Sequence, residues 1–371
     1  MERCDVLIVG GGPAGSTCAW KLRRSGLRVV VMDAKPFPRD KVCAGWITPQ
    51  IVETLELDAA DYAKEHVLQA FRGFAVSLLG GRSSRITYPE VVSFGIRRCE
   101  LDAYLLRRCE AELRLGEPLR ALVRDGAEWV ANGVLRAPLV VGAGGHFCPV
   151  ARLLGSASDA PEPIVAAQEL EFELDPEQSR ACEVDPEVPE LFFERDLRGY
   201  AWLVRKGRML NIGIGRQDAH DLAGHARAFL AHVGALGKLP PRVPVKRHGH
   251  AYLLYGQAPR PLAGEGFLLI GDAAGLAWPQ SGEGIRPAIE SGSLAACAIA
   301  GGEHARYERA IESRFGPRTG SRAPAWPSLV PERVRPWLAE KLLARPAFAR
   351  HVVVDGWFLH REQPLLEARS G

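Results

Sequence analysis

No apolar run of about 18 residues occurs in this sequence, so no segment is expected to span a membrane. The first apolar stretch, residues 6–9, is too short for a signal-peptide core and leads straight into glycines. No secretory leader is therefore expected. An excess of one charge is lacking too: 47 Lys+Arg face 44 Asp+Glu, a formal net charge of +3. That balance argues against a nucleic-acid partner, which would need a concentrated basic face. The 8 cysteines (positions 4, 18, 43, 99, 109, 148, 182 and 297) form no C-x-x-C pair and lie scattered. Such usage fits reduced thiols in the cytoplasm better than a disulfide framework or a zinc site. His248 and His250 would share one strand face at a spacing compatible with metal, but the sequence beside them offers no acid or cysteine. No metal is expected.

What is present is length and glycine. A chain of 371 residues exceeds one ordinary core, so two domains or one with a large insertion are expected. Residues 5–10 (DVLIVG) read as a short buried parallel strand ending in glycine. Gly10-Gly11-Gly12-Pro13-Ala14-Gly15 follows, then a helical stretch over 16–24 closed by Ser25-Gly26, then a second apolar strand over 28–32 ending in Asp33. Strand, turn, helix, strand and acid complete a Rossmann unit. Gly10 allows the tight turn, Gly12 admits a pyrophosphate to the backbone, and Gly15 lets helix pack on strand. The helix N-terminus offers N–H groups and a positive dipole to phosphate. Asp33 accepts ribose hydroxyls and argues against a 2′-phosphate. The turn alone does not choose among dinucleotides.

Segment 264–292 (GEGFLLIGDAAGLAWPQSGEGIRPAIESG) supplies a second glycine-ended strand, an acid, and a helix beginning near Gly284. It resembles the Gly-Asp motif of the p-hydroxybenzoate hydroxylase superfamily, whose members bind FAD. The resemblance implies that Asp272 bonds the ribityl chain and that the following helix points its dipole at flavin N1, where reduced flavin is negative. Arg97-Arg98-Cys99-Glu100-Leu101-Asp102 is similar to that superfamily's R-x-x-[FL]-D element, which implies Arg98 as a cofactor contact. The expected FAD contacts are Gly10, Gly12, Pro13, Ala14, Gly15, Asp33, Arg39, Cys43, Ala44, Gly45, Arg98, Leu122, Gly271, Asp272, Pro279, Gly282, Gly284 and Ile285. At 139–145 (LVVGAGG) the sequence departs from the pattern: Gly144 stands where superfamily hydroxylases carry the acid of an Asp-Gly pair. Whether NAD(P)H or another donor such as ferredoxin delivers electrons stays open.

Two further stretches resemble the geranylgeranyl reductase family. Arg39-Asp40-Lys41-Val42-Cys43-Ala44-Gly45 is similar to that family's basic-then-CGG segment beside the isoalloxazine. Residues 199–207 (GYAWLVRKG) resemble its Y-x-W-x-F-P-K-G motif, with Val204-Arg205 in place of Phe-Pro. The family implies hydride transfer from reduced flavin N5 to an alkene, often in an isoprenoid, hence an apolar or lipid substrate in an apolar tunnel. Tyr200 and Trp202, alternating on one strand, would either wall that tunnel or pack within the sheet. Cys43 is the candidate proton donor, its alternative being a small residue that fits against the flavin. Arg39 and Lys41 would touch cofactor phosphate or stay solvated.

The fold expected is α/β: a Rossmann-type FAD domain (1–65, 95–158 and 260–303), an inserted antiparallel-sheet substrate domain (66–94 and 159–259), and C-terminal helices (304–371). Period-two runs at 71–79, 86–92, 165–174, 191–193, 200–204 and 208–214 suggest the sheet. The segment 303–371 carries twelve Lys/Arg against eight Asp/Glu, with Trp326, Trp337 and Trp357. A helical lid on the sheet is one reading of it, a peripheral membrane contact the other. Oligomeric state is not legible. Rival functions on this fold are a flavin monooxygenase, a flavin halogenase (whose W-x-W-x-I-P motif is absent), and a non-catalytic prenyl binder of the GDP-dissociation-inhibitor kind.

Overall fold

Strands buried along their whole length set the architecture. The structure is a computed structural model and describes residues 1–155, 163–217, 220–257, 260–318 and 330–366. Val6–Val9 and Leu139–Gly142 are buried throughout, as strands covered on both faces must be. They sit inside a six-stranded sheet ordered Ala263–Gly264, Phe267–Leu269, Leu139–Gly142, Val6–Val9, Val29–Asp33, Glu112–Leu115. Every pairing is parallel except that of Ala263–Gly264 with Phe267–Leu269. Parallel direction has a consequence for the site. The glycine-bearing ends that follow Val6–Val9 and Phe267–Leu269 open on the same edge, where open α/β sheets hold ligands.

Each of those strand ends leads toward a helix. The first, Pro13–Leu22, begins three residues before the expected start, because proline suits the first helical position. The second, Ile285–Ala300, is buried around most of its circumference, as a core helix is. The two pack side by side through Gly292: a Cβ there would lie 2.4 Å from the Ala14 carbonyl oxygen.

A seven-stranded sheet faces this unit, ordered His248–Leu253, Ile164–Glu173, Met209–Arg216, Gly199–Lys206, Glu190–Phe193, Gly73–Leu78, Ser84–Thr87. Its pairings are antiparallel except Glu190–Phe193 with Gly73–Leu78, which run parallel. These two strands are far apart in the chain, so no hairpin forces them to oppose. The expected strand over 86–92 is not continuous. It stops at Thr87, since Pro89 has no N–H for a ladder, and the chain resumes as Ser93–Ile96 in a separate three-stranded sheet with Trp46–Ile47 and Leu68–Phe71.

The described tail helices divide between the two units: Ala305–Phe315 packs on the parallel-sheet side through Tyr307, Ile311 and Phe315, and the later helices lie on the seven-stranded sheet. After Ala305–Phe315 and Arg335–Leu343, a π-helical stretch over Ala349–Phe358 buries Ala349, Val353, Val354 and Phe358. The Phe358 ring sits 5.3 Å from that of Tyr200, and the Tyr88 hydroxyl donates to Asp355 Oδ1 at 2.8 Å. Trp357 is partly buried and Trp337 is exposed, while Trp326 lies outside the described residues. Among the described residues no helix is long and apolar enough to cross a membrane.

Candidate cofactor and substrate site

One cavity of about 770 Å³ runs between the edge of the parallel sheet and the seven-stranded sheet. Its wall joins the two glycine turns: Gly10, Gly12, Pro13, Ala14 and Asp33 from the first, Asp272, Gly282, Gly284 and Ile285 from the second. Arg39, Cys43, Ala44, Gly45, Arg98, Tyr200 and Trp202 line it as well.

The dinucleotide turn is built by close backbone approach. Gly10 has φ +116, and a Cβ there would meet the Ala143 carbonyl oxygen at 2.4 Å. Gly12 caps the helix without a side-chain hydrogen bond, and the helix has no acid in its first turn. Its dipole is therefore left for an anion. The guanidinium of Arg39 lies above Gly12, with Nη2 3.3 Å from a Cβ placed there. Asp33 is fixed by the turn itself: Gly11 N–H donates to Oδ2 at 2.7 Å and Lys35 N–H to Oδ1 at 2.9 Å. At the other end, Gly284 opens Ile285–Ala300 with no acid in the first turn, and the preceding Glu283 accepts the Arg286 N–H on Oε1 at 3.2 Å. Two helix N-termini, the first of them uncapped, with Asp33 beyond the first and Asp272 beside the second, make a donor and acceptor set that fits FAD.

Four of the expected contacts do not line the cavity. Gly15 does not line the cavity; its Cβ would fall 1.9 Å from the Gly10 oxygen, so it serves helix-on-strand packing. Gly271 likewise packs against Ala14 and Ala288. Pro279 does not line the cavity; it stands in the turn that Gly282 N–H closes on the Trp278 carbonyl at 2.8 Å, where Ser281 is the buried member. Leu122 lies outside the cleft, in the strand Leu122–Asp125, where it pairs with Ala131 in a separate four-stranded sheet. Pro118 and Leu119 line the cavity in its place.

Arg98 is buried and forked onto Asp102, with Nε–Oδ1 2.9 Å and Nη2–Oδ2 3.0 Å. Arg39 approaches the same carboxylate at 3.5 Å. Lys41 is not solvated: Nζ lies 2.5 Å from His250 Nε2, and burial pulls its ammonium down to about 8 against the attraction of Asp272. His250 has the acid partner that its neighbours in sequence did not offer, Asp272 Oδ2 at 3.6 Å. Burial alone would raise Asp272, but His250, Lys41 and Arg98 outweigh it and hold the carboxyl at about 2. Among the described residues no cluster of three metal-ligating side chains forms. Gly144 is part of the wall, and a Cβ there would come within 3.0 Å of Pro149 Cδ.

Behind Cys43 stand Glu169, which the sequence did not single out, and Lys206 and Asn211, which the motif-bearing stretch carried without a role. Glu169 Oε2 accepts the Cys43 N–H at 2.7 Å, and Asn211 Nδ2 donates to the Cys43 carbonyl at 3.1 Å. Fully buried Lys206 donates to the Ala44 and Ile96 carbonyls at 3.2 and 2.9 Å and to Glu171 Oε1 at 2.5 Å. Trp202 Nε1–H donates to Asn211 Oδ1 at 2.7 Å, which fixes the indole on the wall. Alternation in residues 164–173 (IVAAQELEFE) reads equally well as a solvated polar face, so nothing in the sequence marked Glu169 as buried. The Cys43 thiol is pushed up by burial and stays protonated. Glu283, on the wall beside Gly284, is raised to about 7 by burial.

A family of FAD dependent oxidoreductases matches residues 5–83. The chain is 30% identical over 349 residues to a menaquinone reductase of Mycobacterium tuberculosis, with 85% of this chain and 81% of that one covered. It is 29% identical over 310 residues to digeranylgeranylglycerophospholipid reductase 1 of Methanopyrus kandleri, covering 78% and 79% respectively. Among solved structures, a geranylgeranyl bacteriochlorophyll reductase-like protein from Thermoplasma acidophilum covers 98% of both chains with a TM-score of 0.77 and 22% identity, a likeness of fold. Fold and cleft together define an FAD-dependent oxidoreductase. Within that class, the chain belongs to the geranylgeranyl reductase family.

Proposed function

We propose that this enzyme saturates carbon–carbon double bonds in the isoprenoid chain of an apolar or lipid substrate. The observation that carries the reading is the second half of the cavity wall. Trp46, Ala167, Tyr200, Trp202 and Tyr252 give the dinucleotide cleft an apolar extension under the seven-stranded sheet. Relatives whose names specify geranylgeranyl substrates support the same class.

FAD would be held by Gly12, Pro13, Ala14 and Arg39 at its pyrophosphate, by Asp33 at the adenosine ribose, and by Asp272 at the ribityl chain. The segments Cys43–Gly45 and Gly282–Ile285 would flank its ring. Bound and reduced, FAD supplies a hydride. The chain's own part is to orient and to keep water out. Tyr200 is pinned by its hydroxyl, which donates to the Ser281 carbonyl at 2.5 Å, so its ring presents an apolar face at a fixed place. The Phe358 ring, packed edge-on to that of Tyr200, backs the wall from the C-terminal helices.

Dithionite-reduced protein kept free of oxygen is expected to saturate a polyprenyl alcohol, with product mass rising by one hydrogen pair per double bond. Turnover only with oxygen, adding an oxygen atom, would assign a monooxygenase instead. Asp272→Ala is expected to weaken FAD binding about tenfold or more, since a hydrogen bond to a charged group contributes ~1.5–3 kcal/mol. Unchanged flavin occupancy after dialysis would remove Asp272 from the ribityl contact.

A further inference from the structure

Saturating an alkene takes a proton as well as a hydride, and the cavity wall holds two carboxyl groups that differ in their partners. Glu169 and Glu171 lie two residues apart on Ile164–Glu173, both facing the cavity. Lys206 gives its charge to Glu171, at 2.5 Å, and its remaining donors go to the Ala44 and Ile96 carbonyls. Arg97 approaches Glu171 as well, Nε to Oε2 3.8 Å. Among the described residues no cationic side chain lies within ion-pair distance of Glu169: its Oε2 accepts from the Cys43 N–H and from Asn211 Nδ2, and the side chain lines the cavity.

We propose that Glu169 is the acid of the reduction, giving the alkene its proton from the cavity side of the strand Ile164–Glu173. The inference rests on the alkene-reductase reading above. The Glu169 O–H bond breaks and a C–H bond forms at one alkene carbon. The hydride drawn from reduced FAD forms the second C–H bond at the other carbon, and the π pair is consumed. Glu169 is left as a carboxylate and regains its proton from water.

The environment suits that role. Glu169 is 6% exposed, and burial, reinforced by the negative charge of Glu171, raises its carboxyl to about 8. The Cys43 N–H, Lys206 and Asn211 pull the other way without prevailing. Across the ladder the neighbouring strand places His248 opposite Glu169, and beyond Cys43 stands Arg98. Of the two carboxyls, Glu171 carries the contact with Lys206, whereas Glu169 meets only neutral donors beside the cavity, which suits Glu169 to the part of the acid. The Cys43 thiol, itself raised by burial, is the weaker donor.

Glu169→Gln separates proton delivery from positioning, because the amide oxygen still accepts the Cys43 N–H but the side chain has no acidic proton. In anaerobic single turnover with a polyprenyl alcohol, reduced holoenzyme of E169Q is expected to reoxidise about 100-fold or more slowly than the unsubstituted enzyme. Flavin content and its visible spectrum should stay unchanged. The unsubstituted enzyme should lose rate as pH rises through about 8, since the protonated carboxyl is the active form, and this limb should be missing in E169Q. Glu169→Asp should restore part of the rate. An E169Q rate within about threefold of normal, or the same alkaline limb in both, overturns the proposal while leaving the reductase reading intact. So does an intact E169Q beside a dead Glu169→Ala, which would make Glu169 a positioning group. If the unsubstituted enzyme reduces no alkene, the reductase reading fails first and this acid fails with it.

Discussion

Gly292→Val protein is expected to be recovered without flavin and with a lowered melting temperature. The added Cβ alone would stand 2.4 Å from the Ala14 carbonyl oxygen and 3.3 Å from the Cys18 nitrogen, both of them backbone atoms of the helix Pro13–Leu22. Backbone cannot swing aside as a side-chain tip can. The helix Ile285–Ala300 is itself boxed in, with Arg286 fully buried and bound to Glu290 at 2.9 Å, and Glu290 in turn held by Arg314 at 2.8 Å. Overpacking of this kind costs about 1–3 kcal/mol or more, taken up by separating the two helices. Their separation would move Gly284 and Ile285 away from Gly12 and Ala14, and the cleft would open. The ratio of visible flavin absorbance to protein absorbance measures the outcome. Full flavin occupancy in Gly292→Val would show that this contact does not hold the cleft together.

The second large effect is expected at Lys206. Replacing it with methionine keeps most of the volume but leaves Glu171 and two carbonyl oxygens without their shared donor. Removing one partner of a fully buried ion pair costs about 3–5 kcal/mol. Here Glu171 is partly exposed and keeps Arg97 Nε at 3.8 Å and Asn211 Nδ2 at 3.2 Å, so a loss toward or below the low end is expected. Chemical denaturation of Lys206→Met against the unsubstituted protein checks this. The double variant Lys206→Met with Glu171→Leu should recover much of the loss, since a buried pair replaced by apolar groups is often near neutral. If the double variant is as unstable as the single one, the cost lies in the Ala44 and Ile96 carbonyls rather than in the charge.

How far the sequence foretold this site depends on whether a residue acts through local or distant geometry. The turn at Gly10–Gly15 was legible because strand, turn, helix and Asp33 are consecutive, and each constrains the next. The loop around Asp272 was legible through its resemblance to a known flavin motif. What escaped was set by cross-chain packing. Gly292 looks like any helical glycine until Ala14 is brought against it. His250 showed no acid beside it, because its partner stands on a different element. The lone parallel pair of Glu190–Phe193 with Gly73–Leu78 joins strands too distant for any turn signal to report. Leu122 had no local signal behind it, and the strand it opens carries it into another sheet.

The order of strands in the six-stranded sheet also bears on how the protein is made. Phe267–Leu269 and the helix that follows complete the cleft, yet they emerge long after the first glycine turn. A nascent chain therefore cannot retain its flavin until Gly292 has left the ribosome, and the early strands must persist without their ligand through most of synthesis. Translation halted before that residue would yield an apoprotein with an open flank, a substrate for chaperones and proteases rather than a smaller enzyme.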